Sequence, residues 1–248
     1  MELEIVKPGT SSRYLKLLVY GRPGVGKTKL LGTAADDPAT FPLLLDVEAG
    51  TMTLAGHHSP DIVPIRTWSQ FNDVYNYLTT EAEKAAKYKT IGFDSLTEMR
   101  KMQLGEVMRT VAATNASRDV DVPSQHEYTK VSGQIQKLVR YFRALPYHLV
   151  LTALEQESKN EATGEITVKP SLGDAAADAI CGYMDVVGRL IVSQEGQGEQ
   201  RVLTRHLVVQ PMGNYVAKDR SGKLGLQVSN PTIPQIIKTI YGDSNAQA

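Results

Sequence analysis

Eight consecutive residues, Gly21-Arg22-Pro23-Gly24-Val25-Gly26-Lys27-Thr28, follow the spacing G-x-x-x-x-G-K-T. Glycines at these positions let the backbone curl so that successive N–H groups converge on an anion. Lys27 places a cation where it reaches the β- and γ-phosphates of a nucleoside triphosphate, and the Thr28 hydroxyl is a ligand for Mg²⁺. Together with Lys29, this stretch is the candidate nucleotide-binding segment, with ATP and Mg²⁺ as the ligands it implies. Two acidic positions complete the chemistry. Asp94 ends the apolar run Thr90-Ile91-Gly92-Phe93 and is the candidate second metal ligand, although an Asp there also suits a helix N-cap. The residue after it is Ser95, so a catalytic base has to come from elsewhere. Glu48, in Asp46-Val47-Glu48 at the end of the preceding apolar run, is placed to polarise an attacking water.

These residues act together only if strands and helices bring them to one edge. The apolar run Leu17–Tyr20 precedes the glycine-rich segment and Lys29–Ala35 follows with helical character, which is the setting the motif requires. Through residue 150, strand and helix patterns alternate: strands at 42–48, 90–94 and 148–153, helices over 69–87, 96–111 and 128–145, and polar residues over 112–127. That alternation predicts an α/β fold of the P-loop NTPase type, a mainly parallel sheet flanked by helices. The segment Ile62-Val63-Pro64-Ile65 reads as an edge element because of its proline. Beyond residue 155 the pattern predicts a polar hairpin around residues 162–165 and a short helix over 174–181. Strands at 184–193, 201–210 and 214–217 then form a closing β-meander, with a turn at Gly196-Gln197-Gly198. Ser229-Asn230-Pro231-Thr232 opens a last helix ending at Tyr241. One domain over 1–241 and a polar tail over 242–248 is the simplest organisation.

The 248 residues carry 27 Lys+Arg and 27 Asp+Glu, so a uniformly basic, nucleic-acid-coating surface is excluded while a local basic stripe is not. Cys181 is the only cysteine, which rules out an internal disulfide and suits a reducing compartment. No signal-like apolar segment occupies Met1–Arg13 and no run approaches membrane-spanning length, so a cytoplasmic protein without membrane contact is expected. His57-His58 lacks the partners of a metal site. Trp68 and the methionines at 99, 102 and 108 read as packing residues.

The order of these motifs resembles the RecA family of ATPases: a P-loop, a strand ending Asp-x-Glu, a strand ending Asp-Ser, then a polar-ended strand. The resemblance implies a RecA-like core with Glu48 as general base and Asp94 as metal ligand. It also implies a γ-phosphate sensor after the next strand, for which Thr152, Glu155 and Gln156 are the candidates. Lys218-Asp219-Arg220 is similar to the segment with which RecA-like proteins reach a neighbouring subunit's ATP; Lys218 and Arg220 would then stabilise charge on the γ-phosphate in trans. The same residues also suit a surface turn. More narrowly, the compact chain resembles phage-encoded RecA-like single-strand annealing and recombination ATPases, AAA-type nucleotide-binding proteins. The bacterial host cytoplasm is the compartment that resemblance implies.

From that resemblance follow a homo-oligomer, ring or filament, single-stranded DNA as ligand, and a phage single-strand-binding protein as a further partner. The DNA-contacting loops would be 109–127 and 155–169, offering Arg109, Arg118, Lys159 and Lys169. Two other classes remain open: a P-loop small-molecule kinase, for which no Arg-rich lid stands out, and a nucleotide-dependent interaction ATPase that never touches DNA.

Overall fold

The computed structural model describes residues 14–115, 117–195 and 202–242. Its centre is the strand β1 (Lys16–Gly21), whose six residues are all buried. β1 lies parallel to β5 (His148–Lys159) on one side and to β7 (Val186–Glu195) on the other. Beyond β5 follow β4 (Thr90–Asp94), β2 (Pro42–Asp46) and β3 (Asp61–Pro64), all parallel. A parallel strand covered on both faces must be apolar along its length, and LLVY in β1, LLL in β2 and LVL in β5 meet that requirement.

Beyond β7 the sheet turns antiparallel, with β8 (Val202–Val208) and then β10 (Gln227–Ser229) at the edge. β9 (Lys218–Asp219) pairs with the start of β7. The outer half of β5 forms a hairpin with β6 (Ile166–Pro170). The full order is β10-β8-β7-β1-β5-β4-β2-β3. The expected α/β architecture with its closing antiparallel strands is therefore present.

Alternate side chains of the central strands enter two cores. On one face Leu18, Tyr20, Leu45, Phe93 and Leu151 pack under α2 (Ser69–Thr80), α4 (Leu96–Thr114), α5 (Gln125–Ala144) and α6 (Asp174–Tyr183). Phe93 meets Phe71 and Phe142 at ring-centroid distances of 5.5 and 4.9 Å. On the other face Leu17, Val19, Leu44 and Val150 pack against α1 (Lys27–Gly32) and α7 (Ile233–Tyr241). In α7, Ile233, Ile236, Ile237 and Ile240 recur at helical spacing and are buried. Gly92 lets α1 settle onto the sheet, since a Cβ there would come within 2.7 Å of Leu31.

Several boundaries differ from the sequence pattern. The helix expected over 69–87 breaks at Glu81 into α2 and α3 (Ala82–Ala85). Thr79 and Thr80 turn their hydroxyls onto the carbonyls of Tyr75 and Asn76, a back-bonding that favours termination. α4 runs to Thr114 and α5 starts at Gln125, where Ser124 and Glu127 form a capping box, so the polar connection is shorter than expected. Residues 214–217 are not a strand; only Tyr215 bridges, to Val168, and the pairing moves to Lys218–Asp219. β3 is an edge strand as its proline required. No described helix is long and apolar enough to cross a membrane. The turn at 196–198, the N-terminal 1–13 and the tail from Asp243 onward lie outside the described residues.

Candidate active site

Parallel pairing aligns the carboxyl ends of β1, β5, β4 and β2, with Tyr20 opposite Ala153 and Asp46 opposite Asp94. The loop after β1 therefore emerges beside Asp94, Glu48 and Thr152, which are far apart in sequence. Gly24 and Gly26 adopt φ of +78° and +100°, the left-handed region that only glycine enters freely. Lys27 is 8% exposed and its Nζ donates to the carbonyls of Gly21 (3.0 Å) and Arg22 (2.9 Å). Burial lowers its pKa, opposed by the charges of Glu48, Asp94 and Glu155. A desolvated ammonium bonded only to carbonyl oxygens suits an incoming anion, because a stronger partner replaces a weaker one.

Asp94 is 2% exposed, and both its oxygens are engaged. Thr28 Oγ1 donates to Oδ2 at 2.6 Å, and Thr152 Oγ1 donates to Oδ1. The Asp94–Ser95 peptide is cis. One hydroxyl and one carboxylate are a hard-oxygen donor pair of the kind Mg²⁺ takes when phosphates and water supply its remaining ligands. Among the described residues no group of three or more His, Cys, Asp or Glu side chains could hold a metal without such help. The site fits Mg²⁺ bound together with a nucleotide.

Asp46 and Glu48 do different work. Asp46 is buried, and its Oδ1 accepts from the N–H groups of Glu48 (3.2 Å) and Ala49 (2.8 Å). Val47 N–H donates to the Asp94 carbonyl at 2.8 Å. Ala49 is held at φ +57°, a conformation unfavourable by about 1–2 kcal/mol for a residue with a Cβ. Asp46 thus braces a strained turn that presents Glu48. The Glu48 carboxyl makes no hydrogen bond among the described residues. Partial burial, with the nearby charge of Asp94, raises its pKa, and Lys27 opposes the rise. A carboxylate that is unpaired among the described residues, close to the candidate metal ligand Asp94 and raised in basicity has the properties of a general base.

The three sensor candidates separate. Thr152 is committed to Asp94, and Gln156 sits in the hairpin opposite Lys169. Glu155 is clamped by Arg189, through Nε (2.9 Å) and Nη2 (3.2 Å), and by Arg22 Nε (3.2 Å). Burial alone would raise the Glu155 pKa, but the two guanidinium groups outweigh it and the net shift is downward. Lys218 and Arg220 cap the end of α6 within their own chain. Lys218 Nζ donates to the Cys181 carbonyl at 2.5 Å and Arg220 Nη2 to that of Gly182 at 2.8 Å. Of the loop cations, Arg118 pairs with Glu127 and Lys169 with Asp174, both at 3.0 Å, while Arg109 and Lys159 are exposed and form no ion pair among the described residues.

Sequence reasoning missed Arg189 and Arg205. Arg205 Nε donates to the carbonyl of Val25 at 3.0 Å, across 180 residues. Nothing local to β8 signals this contact; it arises because β8 lies two strands from β1.

A family model described as an AAA domain matches residues 13–221, most of the chain. No curated protein matches it.

Proposed function

The chain belongs to the AAA domain family, an AAA-type, P-loop ATPase-like class that indicates a nucleotide-binding ATPase, and on that premise we propose that it binds MgATP and hydrolyses it. The observation that carries this reading is the convergence of Lys27, the Thr28–Asp94 pair and the unpaired Glu48 on one sheet edge. Lys27 and the loop N–H groups bind the phosphate oxygens, and Thr28 and Asp94 hold the metal. Mg²⁺ would supply charge neutralisation on the β- and γ-phosphates. Glu48 accepts the proton of the attacking water, and the Glu155–Arg22–Arg189 cluster fixes the far wall of the loop.

The finer reading is a homo-oligomer, ring or filament, that binds single-stranded DNA in phage-type recombination or annealing. Its support is the motif order and the 50% exposure of the Arg220 side chain, whose contacts with Asp185 (3.7 Å) and the Gly182 carbonyl (2.8 Å) in its own chain would give way as it reached a neighbouring subunit. ATP would close the interface, Lys218 and Arg220 would act in trans, and hydrolysis would loosen it.

The test is the ATPase rate, with and without single-stranded DNA, of wild type, Glu48→Gln and Arg220→Ala. Stimulation by DNA that both variants lose, while still binding ATP, supports the full reading. A rate that ignores DNA and survives Arg220→Ala removes the inter-subunit and DNA parts. It would favour an interaction ATPase or a kinase.

A further inference from the structure

The two edges of the sheet differ in charge. The carboxyl edge carries Asp46, Glu48 and Asp94 against Lys27, with Glu155 matched by Arg22 and Arg189, and a bound nucleotide adds its phosphates there. The amino edge lies about 20 Å away along the six residues of β1. There α5 leads into β5 and α6 into β7. Four cations gather at this edge: Arg140 and Arg143 from the last two turns of α5, and Lys218 and Arg220 against the last carbonyls of α6.

The guanidinium of Arg140 lies 4.7 Å from the centre of the Tyr183 ring and donates to its hydroxyl, which sets it at the end of α6. Arg143 stands close enough to Lys218 and Lys16 for its charge to lower the pKa of both, although burial is the larger cause in each. Both arginines are exposed, and neither forms an ion pair among the described residues. The nearby acids are already engaged. Asp185 accepts from Lys16 N–H at 3.1 Å and faces Arg220 at 3.7 Å, Asp219 closes on the N–H groups of Ser221 and Leu224, and Asp178 faces Lys169. The negative end of the α6 dipole accounts for Lys218 and Arg220, which donate to its carbonyls. It does not account for the α5 pair. Like charges held together repel, and an anionic surface arriving from outside relieves that repulsion. The chain is neutral as a whole, 27 Lys+Arg against 27 Asp+Glu, so two copies meet without net repulsion. The acidic and basic edges of one chain point in opposite directions, so they can meet only between copies, head to tail.

We propose that Arg140 and Arg143 dock on the nucleotide-bearing edge of a second copy of this chain, widening the basic face that Lys218 and Arg220 begin. The inference rests on the inter-subunit reading above and adds two residues and a direction to it: the amino edge of one copy meets the carboxyl edge of the next. Because the phosphates supply part of the negative charge, assembly follows nucleotide occupancy.

The experiment follows the full chain by analytical ultracentrifugation with Mg²⁺ and a non-hydrolysable ATP analogue, and by ATPase rate over a range of protein concentrations. Wild type is compared with the double variant Arg140→Gln/Arg143→Gln, with Lys27→Ala, and with an equimolar mixture of these two variants. Wild type should assemble more tightly with the analogue than without it, and added salt should loosen the assembly. The double variant should assemble about tenfold or more weakly and lose most of its ATPase rate. Its affinity for the analogue when dilute, and its Tm, should stay close to wild type, because its own nucleotide edge is intact. Arg143→Gln alone, which breaks no ion pair in its own chain, should show the same loss in smaller measure. Lys27→Ala loses the phosphate-binding cation but keeps the basic face, so the mixture should hydrolyse ATP faster than the two variants summed. Assembly and rate equal to wild type in both arginine variants overturn the role of the α5 pair and leave the inter-subunit reading standing. A mixture no faster than the sum overturns action in trans. If wild type neither assembles nor gains specific activity with concentration, the inter-subunit reading itself falls and this inference falls with it.

Discussion

Thr28 Oγ1 donates a 2.6 Å hydrogen bond to Asp94 Oδ2, joining the last residue of the phosphate loop to the end of a strand two places away in the sheet. The other Asp94 oxygen is held by Thr152 of β5, the strand that separates them. Asp94 is therefore fixed from both sides before any ligand arrives. A carboxylate so oriented loses little conformational freedom when it takes a metal, which is the advantage of a preorganised site.

Removing the Thr28 hydroxyl should uncouple nucleotide binding from Mg²⁺. In Thr28→Val the metal would lose the proposed hydroxyl ligand, and the Mg²⁺ concentration needed for half-maximal ATP binding should rise by at least about tenfold. Asp94→Asn should behave similarly, since its amide oxygen still accepts from Thr152 and preserves the fold. Titrating Mg²⁺ at fixed ATP measures both. A Mg²⁺ requirement identical to wild type would rule out these two residues as the metal site.

Glu48→Gln should leave ATP affinity nearly unchanged and lower kcat by about 10²–10⁴-fold, the usual contribution of a positioned base. Glu48 carries a pKa raised by burial and by Asp94. In the proposed role it acts as a base only when ionised. Activity should accordingly decline, as pH falls, at a higher pH than an ordinary carboxylate would set. That acid limb of the pH–rate profile should be absent from whatever residual activity Glu48→Gln retains. An acid limb at the same position in the variant would assign it to another group.

Gly26→Ala puts a Cβ at φ +100° and 2.6 Å from Arg205 Nε. Backbone strain of about 1–3 kcal/mol is expected, and relieving the clash by moving Arg205 breaks its bond to Val25. Thermal unfolding should show a lower Tm, and nucleotide titration a loss of affinity, both larger than in Gly105→Ala. Gly105 has open space around its Cβ position and is helical, so alanine is tolerated there.

His148 is 5% exposed, and its Nδ1 accepts from Leu15 N–H at 2.9 Å. Burial, with the charge of Lys16 added, lowers its pKa from 6.5 to about 4. The unfolded chain thus takes up a proton that the folded chain refuses. The stabilisation is complete above pH 6.5 and is lost as pH falls toward 4, by up to about 3 kcal/mol. Urea unfolding at pH 7.5 and pH 5 should show this loss in wild type and a smaller one in His148→Asn, whose side-chain oxygen can still accept from Leu15. Equal losses in both would place the pH dependence elsewhere.

The sequence alone carried whatever depends on neighbours within a few residues. The glycine-rich loop could be read because its strand, its glycines, Lys27 and Thr28 are contiguous, and the alternating pattern gave the α/β class because parallel strands buried on both faces are apolar throughout. The acids at 46, 48 and 94 were visible as strand ends for the same reason. Local signals fared worse where tertiary pairing competes: the break at Glu81 and the single bridge at Tyr215 in place of a strand are small changes in backbone hydrogen bonding that composition barely registers.

What folding alone decided is which of these groups meet. The sequence pointed to Glu48 rather than Asp46 as the base, but it gave Asp46 no role; the turn bonded to the Asp94 carbonyl makes Asp46 a brace and leaves Glu48 a free carboxylate. The clamp of Arg22 and Arg189 on Glu155, and the contact of Arg205 with Val25, depend on strand order. That order is set by burying apolar faces over the whole domain, so the residues it juxtaposes carry no mark in their own neighbourhoods.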